Sequence, residues 1–347
     1  MTNFQPTCPL PLDRYPTILL AHGGGGTLMH QLLEQVFVPT FAATTPQHDA
    51  TTFQLPPGRV AMTTDSYAIQ PLIFPGGNIG SLAIHGTVND LAMAGARPLY
   101  LSAGFILEEG LPMTTLWQVV QAMQQAAQQA GVQIVTGDTK VVERGKGDGI
   151  FINTTGIGIV EHDLSIGPGA IQPGDRLLLS GDLGRHGIAI MAVREGLEFE
   201  TSLESDSAPL VEPVLALLKA GLPLHCLRDL TRGGLASAVN ELALGAGLAI
   251  ALEEDAIPVC EAVRGACEIL GFDPLLVANE GRFIAFVPPE AAAAALTILR
   301  RFQPEAALIG QVGEPATQRV GLVTIRRALG TTRLLEWPSG EQLPRIC

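Results

Sequence analysis

The chain has no cluster of Lys or Arg, and its formal net charge is −13. An acidic surface repels phosphate backbones, so nucleic-acid binding is excluded as the expected role. No window approaches the roughly 18 uninterrupted apolar residues of a membrane-spanning helix. The early apolar run Thr17–Leu20 is too short for the core of a secretory signal and leads into a Gly-rich turn. Cysteines are few: Cys8, Cys226, Cys260, Cys267 and Cys347 are an odd number with no CxxC pair or other metal-ligand spacing. That disfavours a zinc site and points to a reduced, cytoplasmic protein in which Cys226, Cys260 and Cys267 are core or surface thiols. Low-complexity runs and short repeats are missing too, which excludes a disordered chain or a solenoid.

Apolar residues make up 47% of the 347 positions, enough for a large core and for two domains of ordinary size. The pattern is α/β throughout. An amphipathic helix is expected over Leu28–Phe41, and a mobile polar loop over Thr44–Pro57. Strands are expected at Arg59–Thr64, Pro98–Leu107, Val132–Thr136 and Ile150–Val160, with helices from Asn78, as N-cap, to about Ala94 and over Thr115–Ala130. The Gly- and Pro-rich segment Ser165–Asp175 reads as a boundary. Beyond it come strands near Arg176–Ser180, Leu224–Leu227, Leu248–Leu252, Phe283–Val287 and Ala307–Val312. Helices are expected near Arg185–Glu195, Ala208–Lys219, Gly233–Leu244, Val259–Leu270 and Pro289–Phe302. The expected division is 1–44, a Gly-rich loop and helix; 45–168 and 169–338, two mixed-sheet domains with flanking helices; and 339–347, a tail.

The run His22-Gly23-Gly24-Gly25-Gly26 precedes a helix, which suits a phosphate-binding turn and equally a plain flexible one. It is neither a Walker A motif nor a GxGxxG fingerprint. Asp65 ends the expected strand of Thr63-Thr64-Asp65-Ser66, and Asp138 follows another in Gly137-Asp138-Thr139-Lys140. Asp229 stands between strand and helix in Arg228-Asp229-Leu230-Thr231-Arg232-Gly233-Gly234. Asp90, after Asn89, lies near a helix C-terminus, where the helix dipole disfavours an anion and a cation would compensate. Each acid alone reads as a cap or turn residue. Together they resemble a cleft for a hard cation and phosphate groups, with magnesium favoured. Lys140 and Glu280, in Ala278-Asn279-Glu280-Gly281, are surface ion-pair partners or a charge stabiliser and a proton-transfer group. The sequence ends at Cys347, after Pro344-Arg345-Ile346. With Pro338 and Pro344 opposing regular structure, this suits a thiol on a swinging arm.

With Thr64-Asp65-Ser66-Tyr67, Phe74-Pro75-Gly76-Gly77-Asn78-Ile79-Gly80, Gly104-Phe105-Ile106-Leu107-Glu108-Glu109-Gly110 and the Pro344–Cys347 end, these motifs resemble the HypE family of hydrogenase maturation proteins. That family lies in the PurM-like (AIR synthase-related) superfamily. The acidic motifs are common to the superfamily, whereas the Pro-Arg-Ile-Cys end is specific to the family. The resemblance implies a two-domain α/β fold, a homodimer through the N-terminal domains, and ATP near that interface. The nucleotide would be held by His22–Gly26, Asp65, Asn89, Asp90, Asp138 and Thr139, and Mg2+ by Asp65, Asp90 and Asp229. It also implies a reaction. A carbamoyltransferase, HypF, loads Cys347; the carbamoyl group is dehydrated to a thiocyanate with ATP; the cyano group passes to iron on a HypC–HypD scaffold. Glu280 would remove an amide proton, and Lys140 would orient the carbamoyl group. The alternatives are another superfamily enzyme or a carrier without catalysis. Cys8 lacks the Gly-rich lysine context of a selenophosphate synthetase, and a thiamine-monophosphate kinase does not need a terminal thiol.

Overall fold

The computed structural model describes residues 15–41, 50–196, 203–315, 320–327, 329–337 and 346. Cys8, Cys347, most of the tail and 42–49 of the polar stretch lie outside the described residues. The first half builds a four-stranded sheet from β1 (Arg59–Tyr67), β2 (Ala96–Glu108), β3 (Gln133–Val142) and β4 (Ile150–Val160). The order is β1-β4-β2-β3, with β1–β4 and β4–β2 antiparallel and β2–β3 parallel. Helices α1 (Ile79–Met93) and α2 (Met113–Ala130) cover one face.

Helix α1 begins where Asn78 places its Oδ1 to accept from the backbone N–H groups of Gly80 (2.8 Å) and Ser81 (3.2 Å). Of its residues only Ser81 and Asp90 escape burial, the pattern of a helix enclosed on all sides. It packs on β1, β4 and α2, and also on α4 and β6 of the second half. Gly86 lets it approach β1: a Cβ there would collide with Tyr67 Oη.

The second half holds β5 (Arg176–Leu179), α3 (Arg185–Glu195), α4 (Val211–Lys219), β6 (Cys226–Asp229), α5 (Gly234–Ala246), β7 (Ile250–Glu253), α6 (Glu261–Leu270), β8 (Phe283–Val287), α7 (Pro289–Leu299), β9 (Ala307–Val312), β10 (Val323–Arg326) and β11 (Thr332–Leu334). Its seven-stranded sheet runs β11-β10-β7-β9-β5-β8-β6. Strand β8 is buried at every position, as a continuous apolar run flanked by neighbours on both sides should be. One hydrophobic core spans both halves, from Leu82 and Phe105 to Leu178, Phe283 and Ile346.

Several sequence expectations change. Strand β1 continues to Tyr67 because it pairs with β4 throughout, so Asp65 lies inside the strand opposite Thr154 instead of ending it. Strand β3 likewise runs on beside β2 to Val142, so Asp138, Thr139 and Lys140 are strand residues and not a following loop. Asp229 is the last residue of β6. Helix α4 starts at Val211, not Ala208: the Leu210 N–H is taken by Asn89 Oδ1 at 2.7 Å, and Pro209 precedes it. The run from Thr27 to Phe41 is helical, with a π segment over Leu33–Phe37. Strands β10 and β11 were not expected.

Candidate active site

The cleft lies between β1 and α1 on one side and the β6–α5 turn on the other. It has a volume of ≈ 610 Å³, and Asp65, Asp90, Asp229, Arg232 and Glu280 all line it. On β1 the residues alternate between faces. Thr63, Asp65 and Tyr67 turn toward α1, where Thr63 Oγ1 donates to Asp90 Oδ2 at 2.7 Å and Tyr67 Oη donates to Asp65 Oδ2 at 3.3 Å. Asp229 reaches the cleft from the end of the edge strand β6. Glu280 comes from the turn before β8, where Asp206 accepts from the backbone N–H groups of Glu280 (3.3 Å) and Gly281 (3.0 Å).

The electrostatics follow from crowding acids in a poorly hydrated space. Burial, then the nearby charge of Asp90, pushes Asp65 up to about 6. The same two causes push Asp229 up to about 7. Burial, followed by repulsion from Asp229, Asp206 and Asp65, holds Glu280 well above the carboxylate range, while Arg232 pulls it down. Glu280 is 3% exposed and its Oε1 has no hydrogen-bond partner. An isolated buried oxygen of that kind costs about 1–3 kcal/mol, which a bound ligand can recover.

Among the described residues no three His, Cys, Asp or Glu side chains stand close enough to hold an ion by themselves. The expected Asp65–Asp90–Asp229 set is therefore not a closed metal centre. Its chemistry still fits magnesium: hard carboxylate oxygens crowded together suit an ion that keeps waters and phosphate oxygens in its shell.

Other expected site residues lie elsewhere. Asp138 and Lys140 are exposed, whereas Thr139 between them is buried. They therefore face the open side of the sheet, away from α1, and β3 is the edge opposite β1. Three interstrand steps put them about 14 Å across the sheet from β1. The His22–Gly26 turn sits beside β3 as well, since a Cβ on Gly23 would meet the Val141 backbone N at 2.7 Å. His22 itself is buried, and its Nδ1 accepts from the Leu19 N–H at 2.9 Å. Asn89 is buried and fully engaged: its Nδ2 donates to the carbonyls of Ala208 (3.1 Å) and Glu280 (3.3 Å). It braces Glu280 from behind. Thr63, Tyr67 and Arg232 lie in the sequence motifs without a role assigned from sequence, and Asp206 lies in none of them.

Two family models match: the AIR synthase related protein N-terminal domain over residues 47–160, and its C-terminal domain over 172–323. The carbamoyl dehydratase HypE of Azotobacter vinelandii is 52% identical over 338 residues, covering 96% of this chain and 98% of that protein. The chain belongs to the HypE family of hydrogenase maturation carbamoyl dehydratases. A crystal structure of HypE in complex with ATP superposes with a TM-score of 0.91 at 48% identity, covering 95% of this chain and 100% of the other. HypE in a HypE–HypF complex gives 0.77 at 42% identity over 90% and 100%. No described helix is long and apolar enough to cross a membrane.

The Asp229 shift carries a sign. Its ordinary value is 3.8, so between that and about 7 the folded state binds the proton more tightly than the unfolded one. The stability this group contributes falls as pH rises through that window. Asp229→Asn, which mimics the neutral acid, therefore melts higher than the native protein without nucleotide at pH 8. The gain shrinks as pH falls from 7 toward 4. A melting difference that is constant with pH contradicts the buried, repelled carboxylate.

Proposed function

We propose that this chain uses ATP to dehydrate a carbamoyl group carried on the sulfur of Cys347 to a thiocyanate. The product supplies a cyano ligand to the iron of a nickel–iron hydrogenase. The observation that carries the reading is the meeting of Asp65, Asp90, Asp229 and Glu280, whose Oε1 has no hydrogen-bond partner, in one cleft. Of the other thiols, burial raises Cys226 to about 12 and Cys267 to about 11, which makes both poor nucleophiles.

An amide oxygen is a poor leaving group, and phosphorylation converts it into a good one. The carbamoyl oxygen attacks the γ-phosphorus and ADP departs, while nitrogen gives up one proton. The carbon–oxygen bond then breaks, phosphate leaves with that electron pair, and loss of the second N–H proton completes the nitrile. One carbamoyl adduct and one ATP enter; thiocyanate, ADP and phosphate leave, and the lost oxygen ends in phosphate. Asp65, Asp90 and Asp229 would hold magnesium, which, when bound, neutralises phosphate charge. Burial and the neighbouring acids shift Glu280 toward its neutral form. Arg232 favours its ionised form and so favours its acting as base toward the amide.

Lys140, Asp138 and the His22–Gly26 turn complete the site from a second copy, whereas Thr139 is buried beneath the opposite face of the strand. Within one copy, Asp138 and Lys140 are on the far strand and the opposite sheet face from Asp65. That open face also exposes Val60, Met62 and Ile106, apolar surface suited to a homodimer through the N-terminal sheets. The relative crystallised with HypF supports a HypF-type carbamoyltransferase as donor, and a HypC–HypD scaffold is the acceptor. The need for ATP and a reduced thiol suits the cytoplasm.

Glu280→Gln keeps the shape and removes the base. It should bind ATP normally, slow conversion of the adduct by about 10² to 10⁴, and accumulate carbamoylated protein. Undiminished nitrile yield removes Glu280 from the role. Sharing between copies is tested by mixing inactive Lys140→Ala and Glu280→Gln proteins after denaturation and refolding. Random pairing restores about a quarter of native activity if the two residues act from different copies of a symmetric dimer. No recovery shows that they act within one chain.

A further inference from the structure

Behind Glu280 lies a second polar network that the chemistry above does not use. His186, on α3, is fully buried. Its Nε2 is 2.5 Å from the carbonyl oxygen of Ile346, and its Nδ1 is 2.8 Å from Ser205 Oγ. A carbonyl only accepts, so Nε2 carries the proton and Nδ1 accepts from the Ser205 hydroxyl. Ser205 Oγ in turn accepts from the Ser207 backbone N–H at 3.1 Å. Every donor and acceptor is thereby matched around a neutral imidazole, the form that burial favours by lowering the His186 pKa.

The pocket is built by both halves of the molecule. Phe74, from the short hairpin before α1, meets the His186 ring edge-on with centroids 5.5 Å apart. The Ser205 N–H donates to the Pro75 carbonyl at 2.9 Å, tying the 203–207 segment to that hairpin. Ile346 is 4% exposed and belongs to the core that spans the halves. It is the residue bonded to Cys347.

We propose that His186 is a positioning residue: a clasp on the Ile346 carbonyl that docks the thiol-bearing end of the chain at the junction, in register with Glu280. The link to Glu280 is a single side chain. Asp206 accepts from the His186 backbone N–H (3.1 Å) and, on the same carboxylate, from the N–H groups of Glu280 and Gly281. The clasp and the acid are therefore fixed to one anchor. Asp206 is itself buried, 3.9 Å from the Arg282 guanidinium. The catalytic meaning of the clasp rests on Cys347 being the carrier; the docking does not.

Alkylation of Cys347 by iodoacetamide in the full-length protein, followed by mass spectrometry of the C-terminal peptide, reads docking without turnover. His186→Ala removes the donor and should speed alkylation about tenfold, equivalent to ~1.4 kcal/mol. His186→Gln keeps a donor and should restore much of the protection. Ile346→Ala, on the arm itself, should also speed alkylation at least tenfold, because it removes a buried apolar contact of the docked end. In His186→Ala the KM for ATP should hold while conversion of the carbamoyl adduct slows. If His186→Ala loosens the whole core, the buried Cys226 and Cys267 become reactive too. Ser205→Ala, which frees the ring and the Ser207 N–H but keeps the imidazole in place, then takes its place with the same expected direction. Native alkylation rates in the His186 or Ser205 variants overturn the clasp, whatever Ile346→Ala does. Failure of the carrier reading shows separately, as a Cys347→Ala protein that still forms nitrile.

Discussion

Repulsion among carboxylates that share one cleft is the constraint around which the rest of this structure is arranged. Asp65, Asp90, Asp229 and Glu280 come from β1, α1, β6 and the turn before β8, and no single element could crowd them so closely. Helix α1 makes the meeting possible. It is buried on all sides, packs against both halves, and lets Tyr67 approach through Gly86 to hydrogen-bond Asp65. Acids crowded in this way repel one another, and a bound cation would relieve that repulsion.

The opposite side of the junction is built on different terms. There the buried charges are paired: Arg282 meets Asp182 at 2.7 Å, and Asp206 spends its oxygens on backbone N–H groups. Such paired ions add little net stability but fix geometry, because breaking one partner leaves the other buried and alone. A satisfied network thus holds Glu280 in place from behind, while its own buried Oε1 has no hydrogen-bond partner.

Helices announced by local signals were legible in the sequence. Asn78 caps α1 as expected, and Gly131 ends α2 in a left-handed conformation. Strand ends were not, because β1 and β3 are extended by partners far away in the chain. The acids of the cleft were visible through their motifs, including Asp90 working against its helix dipole. The separation of Lys140 and Asp138 from them was not, since it depends on sheet order and on which face alternation gives each residue. His186, Ser205 and Asp206 stand in no motif. Their meaning arises only when the 203–207 segment, α3 and the Glu280 turn pack together.

The central claim is that this cleft removes the elements of water from a carbamoyl group on Cys347. The most direct test is the mass of the C-terminal peptide after the carbamoyl-loaded protein is given Mg–ATP in a single turnover. The account predicts that the adduct loses the mass of one water while one ATP becomes ADP and phosphate. ATP consumption with the adduct unchanged, or loss of the whole carbamoyl group to leave a bare thiol, would contradict it.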